Sequence, residues 1–427
     1  MDERDPPHDA ERCIAEDAQA MRLPHARGPA PRRHRMLRYL DGALNIRAGG
    51  NPADAPHIRQ FVVLLCITTI ASISAFSFYI FPSLLARRHV SETSIGLVMG
   101  AFYAGSFVAM VLMPAMFRLI GGRMALVGGC LLLGTASLAM LLSLPLDGII
   151  ALRVIQGAAW GVILVSTAVA SLNMIGPGRL AQAGAIYGAC FLVGQALGPA
   201  ISELAVRQTG WIEAPLALSG GAAFLALVIT LWLRPEAFRF ERVRTRGIRL
   251  RRMTQPIAAS FLLSLGFGGA TSFIVNYAEK QGIYPVSSFF LGSLVSGLFL
   301  RLYGGRYLDD YSRERVSAVA AICSALGLLA ATAPGSVIQL GVAGALVGAA
   351  GAIYSGSLQA MAVERSADRV SAVTVFRGAV TLGVASSSAA GGWIVDHLGY
   401  HALFDLLALA SLGAFALLLL PVRRPPA

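Results

Sequence analysis

The stretch Arg234–Arg252, RPEAFRFERVRTRGIRLRR, holds eight arginines and two glutamates and no apolar run long enough to bury. Blocks of similar length flank it, and in them charged residues nearly vanish. A charged connector between two long apolar blocks is the layout of a membrane protein built as two helical bundles. Its arginines assign the connector to the compartment that collects positive charge, the cytoplasm.

Composition agrees with that layout. The chain is 56% hydrophobic and 14% charged with a mean hydropathy of +0.65, where a soluble protein carries roughly a quarter of its residues as charges. Lipid is therefore its main solvent. The net charge of +12 does not indicate nucleic acid, because the arginines lie in the N-terminal tail and in short loops on one side of the predicted membrane. Lys280 is the single lysine. The five cysteines stand apart with no CxxC or Cys/His spacing, which reads as inert thiols rather than disulfides or zinc ligands. No HExxH, GxSxG or P-loop occurs, so neither an enzyme nor a metal or cofactor is expected.

Residues 1–58 are rich in Pro, Arg and acids without an apolar period and are expected to form a disordered cytoplasmic tail. They lack a signal-peptide pattern. Met36–Ile46 could make a short interfacial helix, Met36 is an alternative start, and Arg32–Arg38 could meet anionic lipid or a partner protein. Twelve apolar segments follow, each near the roughly 20 residues that cross a bilayer. They divide the chain into a six-helix bundle (59–233), an Arg-rich cytoplasmic linker (234–255), a second bundle (256–422) and a short tail (423–427). The expected fold is all-α, with helices because lipid offers no partner for free backbone groups.

With both termini inside, the inner side carries Arg118, Arg123, Arg179, the eight connector arginines, Arg306, Arg313, Arg315, Arg365, Arg369, Arg423 and Arg424. The outer side carries Arg87, Arg88, Arg207 and Lys280, so eighteen basic residues oppose four. Both termini are predicted to be cytoplasmic.

The halves echo each other at an offset of about 190: Arg179–Gly188 opens the fifth segment as Arg369–Gly378 opens the eleventh. Within this frame Gly305-Arg-Tyr-Leu-Asp309-Asp-Tyr-Ser-Arg313-Glu-Arg315 is similar to the G-x-L-x-D-R-x-G-R-R loop of the major facilitator superfamily, with Ser312 in place of the second glycine. In the corresponding first-half loop Pro114 stands for the glycine and Arg118 for the aspartate, so an anionic latch cannot form there. Arg153-Val-Ile-Gln156-Gly157-Ala-Ala-Trp160 resembles the family's R-x-x-Q-G motif. Gly194-Gln-Ala-Leu-Gly198-Pro199-Ala-Ile-Ser202 resembles its G-x-x-x-G-P-x-x-G signature for exchange-type transporters, with Ser202 replacing the last glycine. The resemblance covers the chain after its tail.

It implies two pseudo-symmetric six-helix bundles with a midplane cleft between them. It also implies a monomeric inner-membrane transporter of a small molecule that works by alternating access, with protons as coupling ion. Gly305, Asp309 and Arg313 would latch the cytoplasmic side, Asp309 meeting a helix N-terminus of the other half. Gly194, Gly198 and Pro199 would kink the fifth helix against a partner in the other half, which favours export.

Arg153, Gln156 and Trp160 fall on one helical face. An arginine in mid-membrane costs about 2.5–3.5 kcal/mol on insertion scales, so this face either lines a wet cavity or ties helix ends together. Arg377, two turns inside the eleventh segment with no acid near it in sequence, is a cavity candidate. Arg301, close to the cytoplasmic end of the eighth segment, reads as a structural residue that snorkels or pairs near Asp309. The polar stripes Thr69, Ser72, Tyr79; Thr271, Asn276, Tyr277; and Tyr354, Ser357 would complete the cavity, or else only bond carbonyls. Glu203 is the deepest acid, either a proton carrier or a solvated rim carboxylate. Two cargo readings remain open: export of a drug, sugar, siderophore or metabolite, and import of an organic anion held by Arg153 and Arg377.

Overall fold

The computed structural model describes residues 55–142, 144–174, 180–238, 250–304, 311–366 and 369–420. Residues 1–54 of the predicted tail, Arg179, most of the connector, and Gly305 and Asp309 of the predicted latch lie outside the described residues; residues 55–58, predicted as tail, are helical. Among the described residues all regular structure is helical.

The helices follow the apolar segments. α1 runs over Ala55–Phe76, through a 3₁₀ turn at Ser77–Ile80, and on through Phe81–Arg87. Next come α2 (Glu92–Leu119), α3 (Gly122–Ala139), α4 (Leu146–Asn173), α5 (Leu180–Thr209) and α6 (Ala214–Thr230). The second series is α7 (Leu250–Lys280), α8 (Ser288–Phe299, ending in a π-turn at Leu300–Gly304), α9 (Arg313–Thr332) and α10 (Val337–Glu364). Residues Arg369–Leu419 form α11 (369–398) and α12 (400–419), which meet at Gly399 with φ 85°. That left-handed value suits glycine alone without cost. Serines start three helices: Ser91, Ser312 and Ser336 each accept a bond from the backbone N–H three residues on, satisfying a donor the first turn leaves free.

Among the described residues nine helical stretches are long and apolar enough to span a membrane, with α11–α12 counted as one; α6 and α8 are shorter. Leu, Val and Trp side chains such as Val111, Val295 and Trp232 remain exposed on the flanks, as expected of a lipid-facing surface.

Within each half the helices cross on glycine. A Cβ on Gly157 of α4 would overlap the carbonyl of Phe102 in α2, and one on Gly344 of α10 would overlap that of Phe289 in α8. Gly105 against Val154 and Gly292 against Gly341 repeat the arrangement one turn further on. In each of these pairs the second-half residue lies 187 positions after its first-half counterpart. Since lipid supplies no hydrophobic drive between helices, this backbone-to-backbone approach is what packing energy rests on.

The halves meet along two seams. Gly96 and Gly100 of α2 lie on Ser388, Gly392 and Ala385 of α11, while Gly297 of α8 lies beside Leu192 of α5.

Candidate functional site

Gln60 near the start of α1 bonds Trp232 and Arg234 after α6, and Gln255 near the start of α7 bonds Leu417 and Leu420 at the end of α12; this end of the bundle is here the terminal face, and the other is the distal face. At the distal face polar contacts cross between the halves. Glu92 of α2 accepts bonds from Lys280 Nζ (3.0 Å), Asn276 Nδ2 (3.2 Å) and the Tyr400 hydroxyl. Asp396 of α11 accepts the backbone N–H groups of Glu92 (3.1 Å) and Thr93 (2.7 Å) and the Thr93 hydroxyl. Glu203 of α5 accepts the N–H groups of Val286 (2.9 Å) and Ser287 (2.8 Å) and pairs with Arg207 at 3.2 Å. Ser83 donates to Glu279 at 2.6 Å. Glu203 is thus 7% exposed and held as an acceptor by the opposite half, not a solvated rim group.

At the terminal face the described ion pairs stay inside the second half. Arg313 meets Glu364 at 3.6 Å, and Arg365 meets Glu314 at 2.9 Å and donates to Gln255. Of the predicted latch, Arg313 is described and meets Glu364 of its own half, while Gly305 and Asp309 lie outside the described residues. The molecule is sealed distally.

Along the α5–α8 seam lies a small recess whose lining includes Gln195, Thr271, Phe290 and Ser293. Its distal roof is aromatic: Tyr79 stacks on Phe290 at 5.2 Å, bonds the Tyr103 hydroxyl at 3.0 Å and receives Gln195 Nε2 at 3.4 Å. Phe191 and Trp160 stack at 6.0 Å beside it.

Toward the terminal face the seam becomes cationic. Arg377 is exposed to solvent although it sits mid-helix, and its electrostatic neighbours are Tyr187 of α5, Tyr354 of α10 and Arg301 of α8. Water therefore reaches it from the cleft and not from the protein's flank. Arg301 crosses the seam: its Nη1 lies so close over Gly188 of α5 that a Cβ there would overlap it. Its Nε is buried without a hydrogen-bond partner. Among the described residues neither guanidinium has an ion pair, so two cations face one cleft with no carboxylate between them. Arg301 also stands on the π-turn that ends α8, a distortion common at functional sites. The snorkelling expectation for Arg301 is overturned: its head group lies against α5, not at the bundle's rim.

The other sequence candidates are engaged mainly in contacts within the protein. Arg153 is 2% exposed, sandwiched between the rings of Phe78 (4.7 Å) and Phe102 (4.6 Å). It donates to Gln156 Oε1 at 2.9 Å, and Gln156 passes the chain to Ser137 at 2.9 Å, which meets Ser219 at 2.9 Å. These residues tie α4, α3 and α6 inside the first half, behind the Tyr79–Tyr103 pair, and Arg153 does not open to the cleft. Trp160 packs edge-on against Phe76 at 5.4 Å. Thr69 bonds the carbonyls of Leu65 and Cys190, and Ser72 that of Thr68. Thr271 bonds Phe267 and Gly268 carbonyls, and Ser357 pairs with Ser317. Asn276 and Tyr277 belong to the distal contacts, Tyr277 donating to the Thr332 carbonyl at 2.6 Å. Tyr354, 6% exposed, reaches Ser264 at 3.4 Å and adjoins Arg377.

Gly194 and Gly198 abut Ser72, Thr69, Ile73 and Phe76. Their partner is α1 of the same half, which corrects the expectation of a contact with the other half. A Cβ on either glycine would meet backbone atoms, so α5 and Pro199 are docked on α1 rather than free to bend alone.

Replacing Arg153 with methionine is expected to lower the melting temperature while leaving ligand affinity within about twofold. The loss leaves Gln156 Oε1 buried without its donor, at a cost of about 1–3 kcal/mol. Thermal unfolding in detergent beside equilibrium binding checks both halves of this result.

Comparison with known proteins adds three findings. Residues 63–302 and 257–427 match the Major Facilitator Superfamily. Over 221 residues the chain is 29% identical to the 4-hydroxybenzoate transporter PcaK of Pseudomonas aeruginosa, a match covering 50% of this chain and 49% of that relative. The chain thus spans about half the length of the curated relative it matches. Among solved structures, the human organic anion transporter MFSD10 (TETRAN) superposes with a TM-score of 0.64 at 16% identity, over 86% of this chain and 100% of that one. The nucleoside transporter NupG does so with a TM-score of 0.70 at 13% identity, over 84% and 98%. At these identities the two structures speak for the fold alone.

Proposed function

This chain belongs to the Major Facilitator Superfamily, and from that premise we propose that it carries a small organic anion, an aromatic monocarboxylate first of all, across a bacterial inner membrane. It is a multi-pass membrane transporter and not an enzyme. The single observation that supports the anion reading is the pair Arg377 and Arg301, two cations on one cleft with no carboxylate partner among the described residues. Such a pair repels itself and holds poorly solvated donors; an incoming carboxylate relieves both costs. Tyr187, Tyr354 and the Phe191–Trp160 stack give a ring apolar faces to lie on. The similarity to a 4-hydroxybenzoate transporter points the same way.

In this reading the terminal face is cytoplasmic, residues 234–255 link the two bundles there, and the cleft described above opens inward. The transporter works as a monomer. Proton coupling is carried by the family resemblance alone. The test is counterflow in proteoliposomes: radiolabelled 4-hydroxybenzoate should accumulate against preloaded unlabelled 4-hydroxybenzoate, and uridine or glucose should not compete. Accumulation blocked by uridine and indifferent to aromatic acids would overturn the proposal.

A second reading, export, draws on the docking of Gly194, Gly198 and Pro199 against α1, the arrangement that resembles exchange-type transporters. Cells lacking the protein should then retain more of a preloaded aromatic acid than cells with it. Slower initial uptake in those cells, with unchanged retention, rejects export.

A further inference from the structure

Two distal carboxylates do the same thing in opposite halves. Glu203, at the end of α5, reaches across the seam to the N–H groups of Val286 and Ser287, which lead into α8. Asp396, near the end of α11, reaches across the other seam to the N–H groups of Glu92 and Thr93, the first turn of α2. The two acids stand 193 residues apart, and Glu92 and Val286 stand 194 apart. The two contacts join corresponding helix ends of the internal repeat, although Glu92 and Val286 stand seven residues off the 187 register of α2 and α8. Each places a negative charge on free amide donors at a helix N-terminus, where the helix dipole favours it.

We propose that Glu203 and Asp396 are a matched pair of locks that hold the distal mouth shut, and that their charge sets the ratio of distal-closed to distal-open protein. Opening the mouth separates α5 from α8 and α11 from α2, so all four backbone bonds must break. The donors they leave belong to helix ends that have no other carboxylate partner among the described residues. Glu92, bonded by Lys280, Asn276 and Tyr400, sits directly behind the Asp396 lock and adds to it. Among the described residues, the ion pairs of the terminal face, Arg313–Glu364 and Arg365–Glu314, join residues of the second half. This inference is independent of the cargo, because the mouth can be observed without any ligand.

The experiment is a distance measurement between nitroxide labels on Gln208→Cys and Ile338→Cys, exposed distal positions in the two halves, with the native cysteines replaced by alanine. Full-length protein in nanodiscs without ligand should give mainly the short distance. Glu203→Gln and Asp396→Asn should each raise the ratio of long to short distances by roughly tenfold, the scale of a charge-assisted bond. The two effects should multiply in the double variant, since the sites lie on separate seams. If either single variant cannot be purified, Thr93→Val, which removes one hydroxyl bond to Asp396 and spares both backbone donors, should shift the ratio about threefold. Unchanged distances in the carboxamide variants, with a lowered melting temperature, would mean that the two acids only stabilise the fold and would overturn the proposal.

Discussion

Replacing Arg377 by glutamine is expected to abolish measurable transport of an aromatic carboxylate while leaving the protein folded and the cleft open. Arg377 is exposed and among the described residues makes no ion pair, so its removal breaks none of the described contacts. That separates it from Arg153, whose guanidinium is consumed by Gln156 and two aromatic rings. A carboxylate bound by a guanidinium in a partly desolvated cleft loses about 2–4 kcal/mol with that partner. Affinity should therefore fall roughly 30- to 1000-fold. Arg301→Gln should also weaken binding, though by less, because Arg301 is held against Gly188 and only part of its head group faces the cleft. Lysine at position 377 should restore part of the affinity, since it returns the charge but not the planar fork. Equilibrium binding to purified protein reads all three variants on one scale.

Valine at Gly157 or at Gly344 is expected to prevent stable folding of the half that contains it. Each glycine lies on the backbone carbonyl of the facing helix, Phe102 in one half and Phe289 in the other. A side chain cannot be relieved there by a rotamer change, only by moving two helices apart. Overpacking a core costs about 1–3 kcal/mol even when side chains can yield. Here the yielding groups are backbone, so the cost should exceed about 3 kcal/mol. Alanine at Gly128 or Gly351, where an added Cβ meets nothing within 4 Å, should be neutral or slightly stabilising because alanine restricts the unfolded chain. Fluorescence-detected size exclusion followed by thermal unfolding distinguishes the two pairs: the first should aggregate, the second should not.

The helices were legible in the sequence because a bilayer imposes one length on every apolar segment, and the Arg-rich connector marks the division between two series. Lateral partners were less legible. Gly194, Gly198 and Pro199 announce a close helix contact, but nothing in a linear pattern says whether α1 or a helix of the other half provides it. Arg153 and Arg377 look alike as lone arginines in apolar runs. They differ through neighbours far away in sequence: Phe78 and Phe102 close over one, while the gap between α5, α8 and α10 leaves the other open to water. Arg301 was misread for the same reason, since Gly188, the residue that lets it cross the seam, is more than a hundred positions away. The hydroxyl stripes are mostly spent on carbonyls one turn back, a use that period alone does not separate from cargo contact. One signal was present and unread: Glu203 and Asp396 fall within three residues of the offset of about 190, each near the end of a corresponding helix.

The anion cleft is tested most directly by comparing a carboxylate with its neutral isostere on the unmodified protein. Isothermal titration of 4-hydroxybenzoate and 4-hydroxybenzamide keeps ring, hydroxyl and shape constant and removes only the charge. Binding of the acid with at least a hundredfold preference over the amide is the predicted result. Equal affinity for the two, or binding of the amide alone, would contradict a cleft whose cargo is held by Arg377 and Arg301.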